Sequence, residues 1–199
     1  MTDGFTVDHL RSLLTMGGRS VFWRHDVDFS PSCAIEMAKL EFGMGMGLRS
    51  VFYLRVDGEE YSLMDMALCA AEIAEYGHQI GVHVSLDLPR TARPTEALLA
   101  ARCSAAFSVA QGAFGMTTRK VSLHAPPHAA RWRTISGFEH AMAPCWKGYY
   151  LGDSRGVFSE NPEAFLLLDR PLQVNFHPEW WFLPENQKEE LREQEALKP

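Results

Sequence analysis

Along nearly the whole chain, short apolar strand-like segments alternate with helix-like ones, and most of the strand-like segments end on residues able to do acid–base or metal chemistry. SVFWRHD carries Arg24, His25 and Asp26, with Asp28 just beyond; HQIGVHV carries His83, KVSLHAPP carries His124, GYYLGDSRG carries Asp153 and PLQVNFHPEWW carries His177. Strand–helix alternation of this kind predicts a parallel α/β sheet, closed as a barrel or doubly wound. A (β/α) barrel assembles its site from the C-terminal ends of several strands. A dinucleotide-binding doubly wound sheet needs a glycine fingerprint after its first strand, and HDVDFS has none. A barrel-like α/β fold is expected.

The helices have recognisable punctuation. Ser30 can cap SPSCAIEMAKLEF, with Pro31 suited to its first turn; SLMDMALCAAEIAEYG stops at Gly77, and PTEALLAARCSAAFSVAQGAFG is long and Ala-rich. An amphipathic segment (Val7 to Met16), a helical turn around residues 131–141, ENPEAFLLL and a charged helix over 185–199 complete the pattern. The sequence has no internal repeat or linker, so residues 1–199 are expected to form one domain with its core in 20–181. A net charge of −6 without a Lys/Arg run gives no reason to expect nucleic acid or an acidic membrane surface. The absence of 18 consecutive apolar residues argues against a membrane span, and MTDGFTVDHL has no leader pattern, so a cytoplasmic protein is the expectation. Cys33, Cys69, Cys103 and Cys145 form no CxxC pair and read as reduced thiols, at least the first three in helix-like apolar contexts.

Residues two apart in a strand share a face, so Arg24, Asp26 and Asp28 point one way and His25 the other if the strand persists. Two carboxylates side by side repel, which raises one pKa unless a cation intervenes. A divalent ion resolves the conflict by ligating one aspartate and leaving the other free as a base. An Asp near a strand end also serves simply as a helix cap, so the D-x-D does not decide alone. In GHQIGVHVSLD, His83 and Asp87 stand four apart and can face one ion if the strand end passes into a helical turn. Asp28, His83 and Asp87 make a donor set suited to zinc, iron, cobalt or manganese; His83 alone is equally readable as a hydrogen-bonded core histidine. His78, at the strand's other end, reads as structural. His177 is either a wall residue or a general acid, a role an imidazole fills near neutral pH. Trp180 and Trp181 are either core or flat faces for sugar rings.

The ordered set RHDVD, GHQIGVHVSLD, HAPP, GDSRG and VNFHPEWW resembles the polysaccharide deacetylase family, the NodB-homology domain of carbohydrate esterases, in its D-x-D variant. The resemblance implies a distorted, TIM-like (β/α)7 barrel and metal-dependent hydrolysis of an N- or O-acetyl group on a carbohydrate or saccharide precursor. Zinc is the expected ion, with cobalt, iron or manganese as alternatives. By the same resemblance Asp26 is the catalytic base, Asp28 the metal-binding aspartate, His83 the first histidine ligand and His177 the catalytic acid. The second ligand position falls on Asp87, where the family usually has histidine. Ala125 in HAPP stands where an arginine lying against the base is expected, and Arg24 or Arg155 is the candidate substitute. His124 is a supporting residue, and Asp153 in GDSRG is expected to orient His177. About six strands are countable, one short of seven.

Four rival readings stand beside this one. A carbohydrate-binding relative that has lost turnover is compatible with Ala125 and Asp87, and a C–N hydrolase acting on a small non-peptide amide uses the same barrel and metal. A D-x-D phosphatase would leave His83 and His177 without a role, and a D-x-D glycosyltransferase does not fit the motif order.

Overall fold

Alternating inward and outward side chains on buried parallel strands organise this molecule, a computed structural model that describes residues 21–45, 47–57, 61–131, 133–142, 149–153 and 171–196. The strands are β1 (Val21–Val27), β2 (Val51–Arg55), β3 (Gln79–Ser85), β4 (Lys120–His124), β5 (Glu139–His140), β6 (Tyr149–Gly152) and β7 (Leu172–Phe176). Between and after them come α1 (Pro31–Gly43), α2 (Leu63–Glu75), α3 (Glu96–Phe114), α4 (Glu179–Phe182) and α5 (Glu185–Ala196). All pairings are parallel, in the order β5-β4-β3-β2-β1-β7-β6. That order is the cyclic sequence of a seven-stranded barrel opened between β5 and β6, which are not paired among the described residues. The curl is visible in side chains that meet across the interior. Arg24 on β1 donates to Ser122 on β4, and Gln173 on β7 reaches the carbonyl of Ala141 beyond β5. The fold is the distorted (β/α)7 barrel that the motif order implied.

One face of each strand packs on helices. Trp23, Val27, Phe52, Leu54, Val174 and Phe176 meet Met37 and Ala38 of α1 and Met66 and Ile73 of α2. Val82, Val84, Val121 and Leu123 meet Leu99, Cys103, Phe107 and Ala110 of α3. Each large side chain buried here contributes roughly 1.5–3 kcal/mol relative to an exposed one. The other face, toward the barrel interior, is largely polar: Arg24, Asp26, Tyr53, His83, Ser122 and Asn175 are all buried. Gly81 on β3 has no side chain because the ring of Tyr53 lies where a Cβ would be.

The helix boundaries follow their punctuation. Ser30 accepts from the Cys33 N–H with Pro31 in the first turn of α1, Ser62 and Asp65 form a capping box on α2, and Thr95 caps α3. By length and composition α3 could cross a bilayer; in this fold it is the β3–β4 crossover, with its buried residues turned onto the sheet. The helical turn expected around 131–141 is instead a run of turns leading into β5, the strand missed in the sequence because it is two residues long. The Val7–Met16 and ENPEAFLLL segments lie outside the described residues, as does Cys145. Cys33, Cys69 and Cys103 are free and buried, and burial pushes the Cys69 and Cys103 thiols up to about 12.

Candidate metal centre

Strand parity and register bring the polar residues to one place. The outward His25 pairs with Glu41 of α1 (Nε2–Oε1 2.8 Å), while Arg24, Asp26 and Asp28 turn to the barrel side, as period two requires. His83 pairs with Ser122 in the β3–β4 register, and His124 follows on the same face of β4. Asp28 Oδ1 lies 3.1 Å from His83 Nε2 and 3.0 Å from His124 Nδ1, and the two ring nitrogens are 3.3 Å apart. Among the described residues this is the one group of three His, Cys, Asp or Glu donors close enough to hold an ion. Two imidazole nitrogens and a carboxylate oxygen converging this tightly need a proton or a cation between them. Their mixed N/O chemistry fits zinc or a neighbouring transition ion.

Asp26 sits beside this group. Its Oδ2 accepts from Arg24 Nη2 at 2.9 Å and from Asn175 Nδ2 at 3.0 Å, and Arg24 Nη1 donates to Ser122 Oγ at 3.0 Å. Its Oδ1 has no hydrogen-bond partner and lies 3.8 Å from His83 Nδ1, which has none either. Burial alone would raise the Asp26 carboxyl. The Arg24 guanidinium, helped by His83 and His177, outweighs burial and holds the group below its ordinary value. In Asp28, too, burial is opposed, by His124 and His83, and the carboxyl lies well below the usual range.

His177 follows β7 at the same end of the barrel, its Nε2 3.8 Å from Asp28 Oδ2. Its Nδ1 is 2.7 Å from Asp153 Oδ1, which also accepts the His177 backbone N–H at 2.9 Å; Asp153 Oδ2 accepts from Trp181 Nε1 at 3.0 Å. Burial would lower the imidazole, but Asp153, with Asp28 and Asp26, raises it well above the ordinary value. Beside the same three donors thus stand a carboxyl held toward its charged form by Arg24 and an imidazole held toward its charged form by Asp153. The His124 and His177 side chains are 15% and 13% exposed, whereas those of His83 and Asp28 are 2% and 6%, so the two outer rings are the more solvent-accessible members of the group.

Asp87 is not brought into the group, which corrects the expected ligand set. No helical turn follows β3: Leu86 turns into the core, and Asp87 takes a left-handed backbone (φ 50°) with its side chain 68% exposed. Its carboxylate accepts from Ser85 Oγ at 2.8 Å and lies 3.8 Å from Arg102 Nη1 on α3. His124, expected only to support, stands among the donors instead. Trp180 is also corrected as a sugar platform, because it is 7% exposed and packs under Arg192. Trp181 is half-buried, meets Phe176 in a T-shaped contact and is tied through Nε1 to Asp153. Of the two candidate substitutes for the missing arginine, Arg24 lies against Asp26; Arg155 falls outside the described residues.

Three participants escaped the sequence reading. Asn175 and Ser122 sit on inward strand positions, where period two would have found them. Glu179 is fully buried, and its Oε1 accepts the backbone N–H groups of Asp28 and Phe29. Burial and the nearby Asp28 push its carboxyl up to about 8.

No protein-family model matches the chain, and no curated protein matches it in sequence. Among solved structures, it is similar to the Xyl-CE4 domain of a multidomain xylanase from the hindgut metagenome of Trinervitermes trinervoides, with TM-score 0.51, 14% identity, and 92% of this chain and 94% of that one covered. It is also similar to a deacetylase solved with substrate, with TM-score 0.46, 12% identity, and 95% and 88% covered. At such identity the first likeness establishes a fold, the deacetylase-like barrel.

Proposed function

We propose that this chain is a metal-dependent hydrolase that removes an N- or O-linked acetyl group from a carbohydrate or saccharide precursor. The observation that carries the reading is the convergence of Asp28, His83 and His124 within hydrogen-bonding distance of one another, with Asp26 and His177 each 3.8 Å from a member of that trio. The similarity to the Xyl-CE4 domain supports the fold in which such a site is set.

Asp28, His83 and His124 would hold the ion. A divalent cation there would supply Lewis-acid polarisation of the acyl oxygen and make water easier to deprotonate. Asp26, anchored through Oδ2 by Arg24 and Asn175, keeps Oδ1 free to take the proton of the attacking water. His177, kept charged and oriented by Asp153, delivers its Nε2 proton to the departing amine or alkoxide.

The test is acetate release from N-acetylated amino sugars and O-acetylated xylan by protein loaded with zinc or cobalt. Turnover should vanish with chelator and in Asp26→Asn and His177→Ala. Metal-loaded protein that releases no acetate from any of these would contradict the proposal and favour a binding relative that has lost turnover. A second reading, hydrolysis of a small non-peptide amide, is favoured by the burial of Trp180 and the tie of Trp181 to Asp153, the two rings expected to face a sugar. Ammonia or amine release from cyclic amides, without acetate release from sugars, would select it.

A further inference from the structure

We infer that Glu179 positions the metal-ligating Asp28 against the acid His177, so that one short turn sets both; this rests on the metal-site reading above. Asp28 and Phe29 lie beyond the last sheet pairing of β1 and before the Ser30 cap of α1. Neither the sheet ladder nor the helix therefore satisfies their backbone N–H groups. Buried N–H groups need acceptors, and the acceptor comes from 151 and 150 residues downstream: Glu179 Oε1, at 2.6 Å from Asp28 N and 2.7 Å from Phe29 N. Two N–H groups sharing one carboxyl oxygen fix the peptide plane from which the Asp28 carboxylate projects.

The same turn carries the acid. His177, Pro178, Glu179, Trp180 and Trp181 are wound by bonds from Trp180 N to His177 O (3.1 Å) and from Trp181 N to Pro178 O (3.1 Å). His177 and Trp181 hold Asp153 from the two ends of this turn, while Glu179 between them holds the Asp28 backbone. Packing alone does not account for a carboxylate here. Glu179 is fully buried and its Oε2 has no hydrogen-bond partner, an arrangement that an apolar side chain would avoid. The 3.8 Å between His177 Nε2 and Asp28 Oδ2 is thereby a distance held by Glu179. Partners that orient metal ligands in this way typically change metal affinity or activity by about 10–100-fold when removed.

The test compares wild type, Glu179→Ala, Glu179→Gln and Glu179→Asp as full chains. The readouts are cobalt affinity and absorption spectrum, and hydrogen exchange at the Asp28 and Phe29 amides in metal-free protein. Glutamine keeps an Oε1 that accepts both N–H groups, so E179Q should bind cobalt within a few-fold of wild type with the same spectrum and protection. E179A should bind about 10–100-fold more weakly and lose protection at those two amides. E179D, one methylene short, should resemble E179A; if E179A does not fold, the contrast between E179Q and E179D decides. The inference is overturned if E179A or E179D binds cobalt as wild type does, or if E179Q is as impaired as E179D. Wild type that binds no cobalt at all would instead overturn the metal-site reading, and this inference with it.

Discussion

Replacing Arg24 with Met would test how the Asp26 carboxylate, the proposed base, is held. The Arg24 and Asp26 side chains are 4% and 5% exposed and meet at 2.9 Å, so this is a buried pair with little solvent screening. Removing one partner of such a pair costs about 3–5 kcal/mol, because the other charge stays behind uncompensated. The Asn175 bond to Oδ2 survives, but it is already made in the wild type, and a hydrogen bond to a charged group is worth only about 1.5–3 kcal/mol, so it does not replace the cation. For a chain of this size, that loss lowers the melting temperature by on the order of 10 °C. Circular-dichroism melts of wild type, R24M, D26N and R24M/D26N at neutral pH would measure it. The double variant should be less destabilised than the sum of the singles, because no charge is stranded. The sign with pH follows from the Asp26 carboxyl lying below its ordinary value of 3.8 in the fold. The stabilisation from the pair is present above that value and fades as pH falls through the folded pKa, so the gap between wild type and R24M should narrow in acid. If Asp26 is the base proposed above, losing the cation should lift its carboxyl and move the acid limb of activity to higher pH. An R24M protein that melts within roughly 2 °C of wild type, shows no coupling to D26N and keeps its acid limb would refute the reasoning.

Asp28→Ala, His83→Ala and His124→Ala should each abolish metal binding measured by calorimetry, whereas Asp87→Ala should leave it intact. Asp153→Asn should move the basic limb of activity to lower pH, since Asp153 is the chief group raising His177 against burial, and should lower kcat by on the order of 100- to 10,000-fold. His140 is pushed down to about 4, first by burial, so the fold holds it neutral while the unfolded chain takes up a proton. The His140 contribution to stability should therefore fall by about 3 kcal/mol as pH drops from about 6.5 to about 4, opposed by the raised Glu179 carboxyl, which gains stability over the same range. His140→Gln should lose that contribution, so its stability relative to wild type should rise as pH falls through this range.

The fold was legible because its two periodicities are strong. Alternation of strand and helix, and chemistry at successive strand ends, pointed to a barrel, and period two put Arg24, Asp26 and Asp28 on one face with His25 on the other. What was lost depends on chain direction beyond the strand ends. Asp87 lies two residues past the last residue of β3, where one left-handed residue sends the side chain to solvent instead of into a helical turn. Parity inside β4 held a better signal: Ser122 and His124 alternate with the core residues Val121 and Leu123, which marks His124 as inward. Trp180 and Trp181, an aromatic pair beside a polar strand end, read equally as core or as a sugar platform, and four-residue α4 turns Trp180 into the protein. Glu179 was invisible because its partners are backbone N–H groups at the far end of the sequence, which no local pattern reveals.

The most direct measurement is anomalous diffraction from crystals of the protein grown with zinc or cobalt. A single strong peak bonded by Asp28, His83 and His124, with Asp26 and His177 flanking it and Asp87 remote, is the predicted result. A peak held by Asp87, or none among these three side chains at saturating metal, would contradict the central claim.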